Sequence, residues 1–250
     1  MAGNLYLMAY NLALVLGWGY CLYLTIDTMI LKHGSTADLW KVVELPLKVS
    51  QTAAVLEVLH SAIGLVRSPV GITGMQVASR LWVLWGIVNL VPEATTRGAV
   101  SLGGPSLQLQ LGGLSLPLQL NLATLLAAWS ITEVVRYSFF AVKEMLRTVP
   151  YPLLWLRYST FIPLYPIGVA SELSMAYLAL PTIRKQHMWS LDMPNAYNFG
   201  FDYTIACYII IATYLPGLPQ LYFYMLSQRK KVLQGAAGGA GAGAESKKSR

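Results

Sequence analysis

The stretch LYPIGVASE, residues 164–172, sets a phenol, Tyr165, and a carboxylate, Glu172, inside a long apolar run. Seven positions make almost two helical turns, so a helix carries both groups on one face, about 10.5 Å apart along its axis. Side chains of that reach can lean together over a small reacting group, one giving a proton and the other taking one. Pro166 removes a backbone donor and kinks the helix, and Gly168 leaves room for something to approach. No basic residue lies within a turn of Glu172, so its counter-charge must come from another helix. A kinked, polar, roomy face within an apolar run reads as a cavity wall.

Other polar groups interrupt the apolar runs in short-range pairs: Glu57 with His60, Gln76 with Arg80, Glu133 with Arg136 and then Tyr137, and Arg157 with Tyr158. Ionisable groups at membrane depth cost at least about 2.5 kcal/mol each, so they face a bundle interior, pair, or line a cavity. Glu133 and Arg136, three apart, could simply neutralise each other, and His60 beside Glu57 reads as a satisfied core histidine. Three scattered histidines with no HxxxH or CxxC leave no metal-site pattern. Cys21 and Cys207 sit in apolar runs and read as buried thiols.

The elements that must position these groups are membrane spans. The chain of 250 residues is 55% hydrophobic and only 12% charged, about half the charge of a soluble domain. An all-α, polytopic membrane helix bundle follows, with six spans at about 5–26, 51–66, 75–91, 118–142, 155–180 and 203–226. Residues 1–230 form one membrane domain, and 231–250 a basic tail with a flexible Gly/Ala run, GAAGGAGAGA. Segment 27–50 reads as a mixed loop in which DLWKVVELPLKV could form a short interfacial helix. Residues 101–120 alternate around Gly112-Gly113, a hairpin cue, yet their low complexity favours an unstructured insertion. Arg229, Lys230, Lys231, Lys247, Lys248 and Arg250 put the C-terminus in the cytosol, and an even span count puts the N-terminus there too. The terminal KKSR fits either a dilysine retrieval signal or a solvated tail. The net charge of +7 is dispersed over loops and tail, without the stripe a nucleic-acid partner requires.

The run RYSTFIPLYPIGVASE, 157–172, resembles the signature of the very-long-chain (3R)-3-hydroxyacyl-CoA dehydratases, the protein-tyrosine-phosphatase-like or PASTICCINO2-type proteins. YNLALVLGW (10–18), QTAAVLEVLHSAIGLV (51–66), TGMQVASRLWVLW (73–85) and WSITEVVRYSFF (129–140) support it in the family order. The resemblance covers about residues 5–230. It implies a six-span endoplasmic-reticulum enzyme with both termini cytosolic. That enzyme removes water from a 3-hydroxyacyl-CoA to give a trans-2-enoyl-CoA, the third step of very-long-chain fatty-acid elongation. The family's catalytic tyrosine and glutamate fall on Tyr165 and Glu172, and its other typical polar positions on Glu57, Gln76, Arg80, Arg136, Arg157 and Gly168. An acyl-CoA substrate, the bilayer and the other elongation enzymes are the implied partners, and the chemistry demands no cofactor. Loop 93–117 and the Gly/Ala tail depart from compact members.

In such an elimination Glu172 suits the base and Tyr165 the acid, although the opposite allocation stays open. Arg157, Arg147 and Lys143 could meet the CoA phosphates. HSAIGLVR, 60–67, imitates a cysteine-phosphatase loop, but Ser61 replaces the nucleophile and the stretch reads as helix. A channel would be expected to show repeated halves, which the sequence lacks; a non-catalytic scaffold of the elongation complex is the alternative function.

Overall fold

The computed structural model describes residues 2–101, 108–111, 114–117, 119–146 and 148–245. Among them the chain forms six helical rods. The first is α1 (Ala2–Ile26), extended by a π-helical turn over Asp27–Leu31. The second joins α2 (Thr36–Ala53) to α3 (Val55–Ala62), and the third joins α4 (Val70–Leu81) to a π-helical segment, Trp82–Val88. After the short α5 (Pro92–Arg97), α6 (Leu122–Leu146) is the fourth. The fifth joins α7 (Tyr151–Ser159) to α8 (Phe161–Lys185), and α9 (Tyr203–Glu245) is the sixth. Four stretches, Leu5–Leu31, Leu122–Leu146, Tyr151–Lys185 and Tyr203–Gln234, are long and apolar enough to cross a membrane. Apolar side chains such as Leu16, Leu45, Ile209, Leu215 and Phe223 face outward, as a lipid-facing surface requires.

The second rod begins well before the expected span at 51–66. Ser35 caps α2: its hydroxyl accepts from the Asp38 amide, and the Asp38 carboxylate accepts from the Ser35 amide. That reciprocal cap starts the helix at Thr36, so DLWKVVELPLKV, expected as a short interfacial helix within a loop, lies inside a longer one whose inner face is buried by Leu39, Trp40, Val43 and Leu47. Residues 101–120 differ too. Strand β1 (Val100–Ser101) pairs antiparallel with β4 (Gln119–Leu120), and β2 (Gln108–Leu111) pairs with β3 (Leu114–Pro117), Leu111 opposite Leu114. The period-two alternation therefore prevails over low complexity; Gly112-Gly113 lies outside the described residues. The backbone of α9 stays helical to Glu245, across the run expected as a flexible linker. KKSR lies outside the described residues.

The bundle has a solid storey and a hollow one. In the solid storey the second half of α8 (Met175, Ala176, Ala179, Ile183) packs with Trp18 and Cys21 of α1, with Leu84 and Ile87 of the π segment, and with Leu122, Leu125 and Leu126 of α6. The Tyr203 hydroxyl pins the start of α9 there, donating to the Gly86 carbonyl at 3.1 Å. The first half of α8 and the second half of α6 belong to the hollow storey.

Candidate active site

One face of α8 presents Tyr165, Gly168 and Glu172 inward, whereas Pro166 and Ile167 are exposed. Gly168 is buried where α8 approaches α6, its nearest neighbour being the Ala128 Cβ. Glu172 is buried at 8% exposure, yet both its oxygens are satisfied. Trp129 Nε1 of α6 donates to Oε1 at 2.9 Å, and the Tyr214 hydroxyl of α9 donates to Oε2 at 3.0 Å. Tyr165 stacks on Tyr222, ring centroids 5.9 Å apart. Among the described residues its hydroxyl has no hydrogen-bond partner.

Behind Glu172 runs a charged chain across three helices. Glu133 of α6 accepts from Arg80 of α4, and from Arg136 Nε at 2.7 Å. Arg136 in turn grips Glu57 of α3 with two bonds, Nη1 to Oε2 at 2.7 Å and Nη2 to Oε1 at 2.8 Å. The Tyr137 hydroxyl also donates to Glu57. Two carboxylates and two guanidinium groups cancel in this network; Glu133, Arg136 and Glu57 each carry several bonds, and Arg80 is held by Glu133. Arg80 further stands over the Trp129 ring at 5.6 Å, beside the holder of Glu172. Arg157 lines the same space with no carboxylate partner among the described residues.

These groups surround one cavity of about 660 Å³, the size of a small-molecule site. Tyr165, Glu172, Arg157, Gly168, Arg80, Gln76, Glu57 and Arg136, drawn from five helices, all line it. From Phe161 to Glu172 the wall of α8 descends about 16 Å. Glu172 stands at the end that abuts the close-packed half of α8, the floor; Arg157 and Phe161 line the opposite end, termed the mouth, with Tyr165 between.

His60 does not line the cavity. Its Nε2 shares a hydrogen bond with the Tyr6 hydroxyl at 2.9 Å, and Tyr6 and Tyr10 meet its ring edge-on. Lys143 is exposed and away from the lining, and Arg147 lies outside the described residues. Arg229 of α9 donates from its Nε to Ser159 Oγ of α7 at 3.1 Å and is not among the lining residues. The phosphatase-like stretch is only partly helical, since α3 ends at Ala62. Even so, the amides of Ile63, Gly64, Leu65 and Val66 donate to Leu59, Ser61, His60 and His60, so these four do not form an anion cradle.

The residues that sequence reasoning missed are those holding others in place. Trp129 shares the Glu133 face of α6 at helical spacing, a signal available in advance; Tyr137 was noted beside Arg136, but its bond to Glu57 was not. Tyr214 and Tyr222 lie in the aromatic run TYLPGLPQLYFY, where nothing marks two of several tyrosines as inward.

A family model described as "Protein tyrosine phosphatase-like protein, PTPLA" matches residues 51–235. The chain is 44% identical over 230 residues to very-long-chain (3R)-3-hydroxyacyl-CoA dehydratase PASTICCINO 2 of Arabidopsis thaliana, covering 92% of this chain and 93% of that one. To very-long-chain (3R)-3-hydroxyacyl-CoA dehydratase hpo-8 of Caenorhabditis elegans it is 42% identical over 238 residues, 95% and 98% of the two chains. To very-long-chain (3R)-3-hydroxyacyl-CoA dehydratase 2 of Homo sapiens it is 39% identical over 228 residues, 91% and 80%. No solved structure matches the chain.

Proposed function

The chain belongs to the protein tyrosine phosphatase-like family, PTPLA, and on that premise we propose that it dehydrates a (3R)-3-hydroxyacyl-CoA to a trans-2-enoyl-CoA, with Glu172 and Tyr165 moving the protons. The carrying observation is that a carboxylate with two donors and a phenol without a hydrogen-bond partner among the described residues line one wall of one cavity. In the elimination, Glu172 takes the proton from the carbon next to the thioester carbonyl. The electron pair left there forms the new C=C bond, and the C–O bond to the 3-hydroxyl breaks. Tyr165 protonates the departing oxygen, which leaves as water. One proton has then passed to Glu172 and one has left Tyr165, so transfer from the first to the second resets the site. General acid and base groups of this kind contribute about 10²–10⁴-fold each.

The remaining polar residues support the pair. Arg80 adds positive charge near Glu172, while Glu133, Arg136 and Glu57 hold Arg80 and tie α3 and α4 to the middle of α6. Arg157 at the mouth suits the phosphates of the CoA moiety. All six rods cross the bilayer in this reading, including the second and third, whose polar groups face the cavity. The basic tail points to the cytosol. The reaction belongs to the third step of fatty-acid elongation in the endoplasmic reticulum, alongside the other enzymes of that cycle.

The test is direct. Purified protein in lipid nanodiscs is supplied with a (3R)-3-hydroxyacyl-CoA, and formation of the conjugated enoyl thioester is followed by absorbance and mass spectrometry. Enoyl product is the expected result; well-folded protein that yields none overturns the reading.

A further inference from the structure

The cavity is a shaft closed at its lower end. Past Glu172 the same side of α8 continues with Met175, Ala176, Ala179 and Ile183, each with no solvent exposure and packed among core side chains. A close-packed storey leaves no bore for a chain to continue downward. A long acyl tail attached to a thioester between Tyr165 and Glu172 must therefore leave sideways.

One side is open. Around the shaft α4 packs on α3, while α1, α6, α7, α8 and α9 pack neighbour to neighbour. Among the described residues no extensive packing joins α4 to α9: Ser79 meets Tyr214 at the level of the floor, and the Tyr203–Gly86 bond ties their two rods at the solid storey. The exposure of the lining residues locates the same seam. Those that are solvent-exposed all belong to α4 (Ile72, Met75, Gln76) or to α9 (Thr213, Gly217 and Tyr224 among them), and every other lining residue is buried or half-buried. Met75 is 68% and Ile72 50% exposed, although both touch the cavity. The exposed span of α9 from Thr213 to Tyr224 runs about 16 Å, matching the depth from mouth to floor. Leu218 and Leu221 lie between, also on the lining.

Resting on the dehydratase reading, we propose that the seam between α4 and α9 is a lateral portal through which the substrate's acyl tail passes into the bilayer. The CoA end stays at the basic mouth, the thioester sits at Tyr165 and Glu172, and the tail crosses Met75 and Leu221 into lipid. The protein then has no ruler for chain length. Methylenes beyond the portal lie in hydrocarbon both before and after binding, so they add no hydrophobic gain. A closed pocket behaves otherwise: each added methylene raises kcat/KM about fourfold while room remains, and the value falls once the pocket is full.

The experiment compares kcat/KM over (3R)-3-hydroxyacyl-CoA substrates from medium to very long acyl chains, for the wild-type protein and for Met75→Trp and Leu221→Trp in nanodiscs. The wild type is expected to rise and then hold a plateau. Each tryptophan, narrowing the portal, is expected to lower the ratio of very-long to medium activity by about tenfold. Taking that ratio within one variant cancels any loss of folded protein. A wild-type optimum followed by a fall, or variants that slow all lengths equally, overturns the portal. Absence of turnover at every length instead overturns the dehydratase reading on which it rests.

Discussion

The Tyr214 hydroxyl on α9 donates to Glu172 Oε2 on α8 at 3.0 Å, making the last helix part of the environment of a carboxylate carried by the fifth rod. With Trp129 on the other oxygen, each half of the carboxylate is held from a different helix. A hydrogen bond to a charged group contributes about 1.5–3 kcal/mol. Tyr214→Phe removes that donor while keeping the ring that fills the site. Activity is expected to fall by roughly 10–100-fold through kcat, with KM little changed. Steady-state kinetics on the purified variant check this, and unchanged kcat would mean the bond does not tune Glu172.

Glu172→Gln keeps the shape of the side chain and removes its charge. Under the proposed chemistry no base remains, and turnover is expected to drop by at least about 10²-fold. Tyr165→Phe leaves the stacking on Tyr222 in place and is expected to cause a comparable loss. Both variants should insert and remain monodisperse on size-exclusion chromatography. A folded Glu172→Gln protein with appreciable dehydration would reject the base assignment.

The face of α8 was legible because helical periodicity fixes which residues share a side, and Tyr165, Gly168 and Glu172 needed only that. The short-range pair Glu133–Arg136 was legible for the same reason. Its extension to Arg80 and Glu57 was not, because which helix stands opposite is decided by packing between rods far apart in the chain. Tyr214 was hidden more deeply, since a tyrosine in an aromatic membrane helix serves equally well as an interfacial anchor. The extent of α2 beyond DLWKVVELPLKV was not legible, because the helix is begun by two side chains, Ser35 and Asp38, and not by the hydropathy of the segment. Arg157 lies on the cavity lining, whereas the bond from Arg229, near the far end of α9, to Ser159 is beyond any local pattern.

Charge balance separates the arginines by role. Glu133 is almost wholly buried and lies between Arg80 and Arg136. Glu133→Gln leaves two guanidinium groups without their shared carboxylate and is expected to cost about 3–5 kcal/mol of stability. Thermal unfolding in detergent would register this as a lower midpoint. Arg157 has no such partner, so Arg157→Gln should leave the midpoint nearly unchanged and instead raise KM for the acyl-CoA. Equal destabilisation by both substitutions would contradict this division.

Two glycines test whether the hollow storey is kept empty for a ligand. At Gly86 an added methyl would collide with the Tyr203 hydroxyl and press on the Trp82 ring, in the solid storey. Overpacking there costs about 1–3 kcal/mol, so Gly86→Ala is expected to destabilise the protein. At Gly168 the added methyl meets only the Ala128 Cβ, at 3.7 Å, an ordinary contact. The fold should therefore accept Gly168→Ala, and alanine's smaller backbone entropy loss should raise stability by a few tenths to about 1 kcal/mol. The new methyl nevertheless stands on the cavity wall between Tyr165 and Glu172, where the thioester is proposed to sit. A stable protein with turnover reduced several-fold is the expected outcome, read from thermal unfolding and dehydration rate on the same sample. If Gly168→Ala is both stable and fully active, the space beside Gly168 does not hold the reacting part of the substrate.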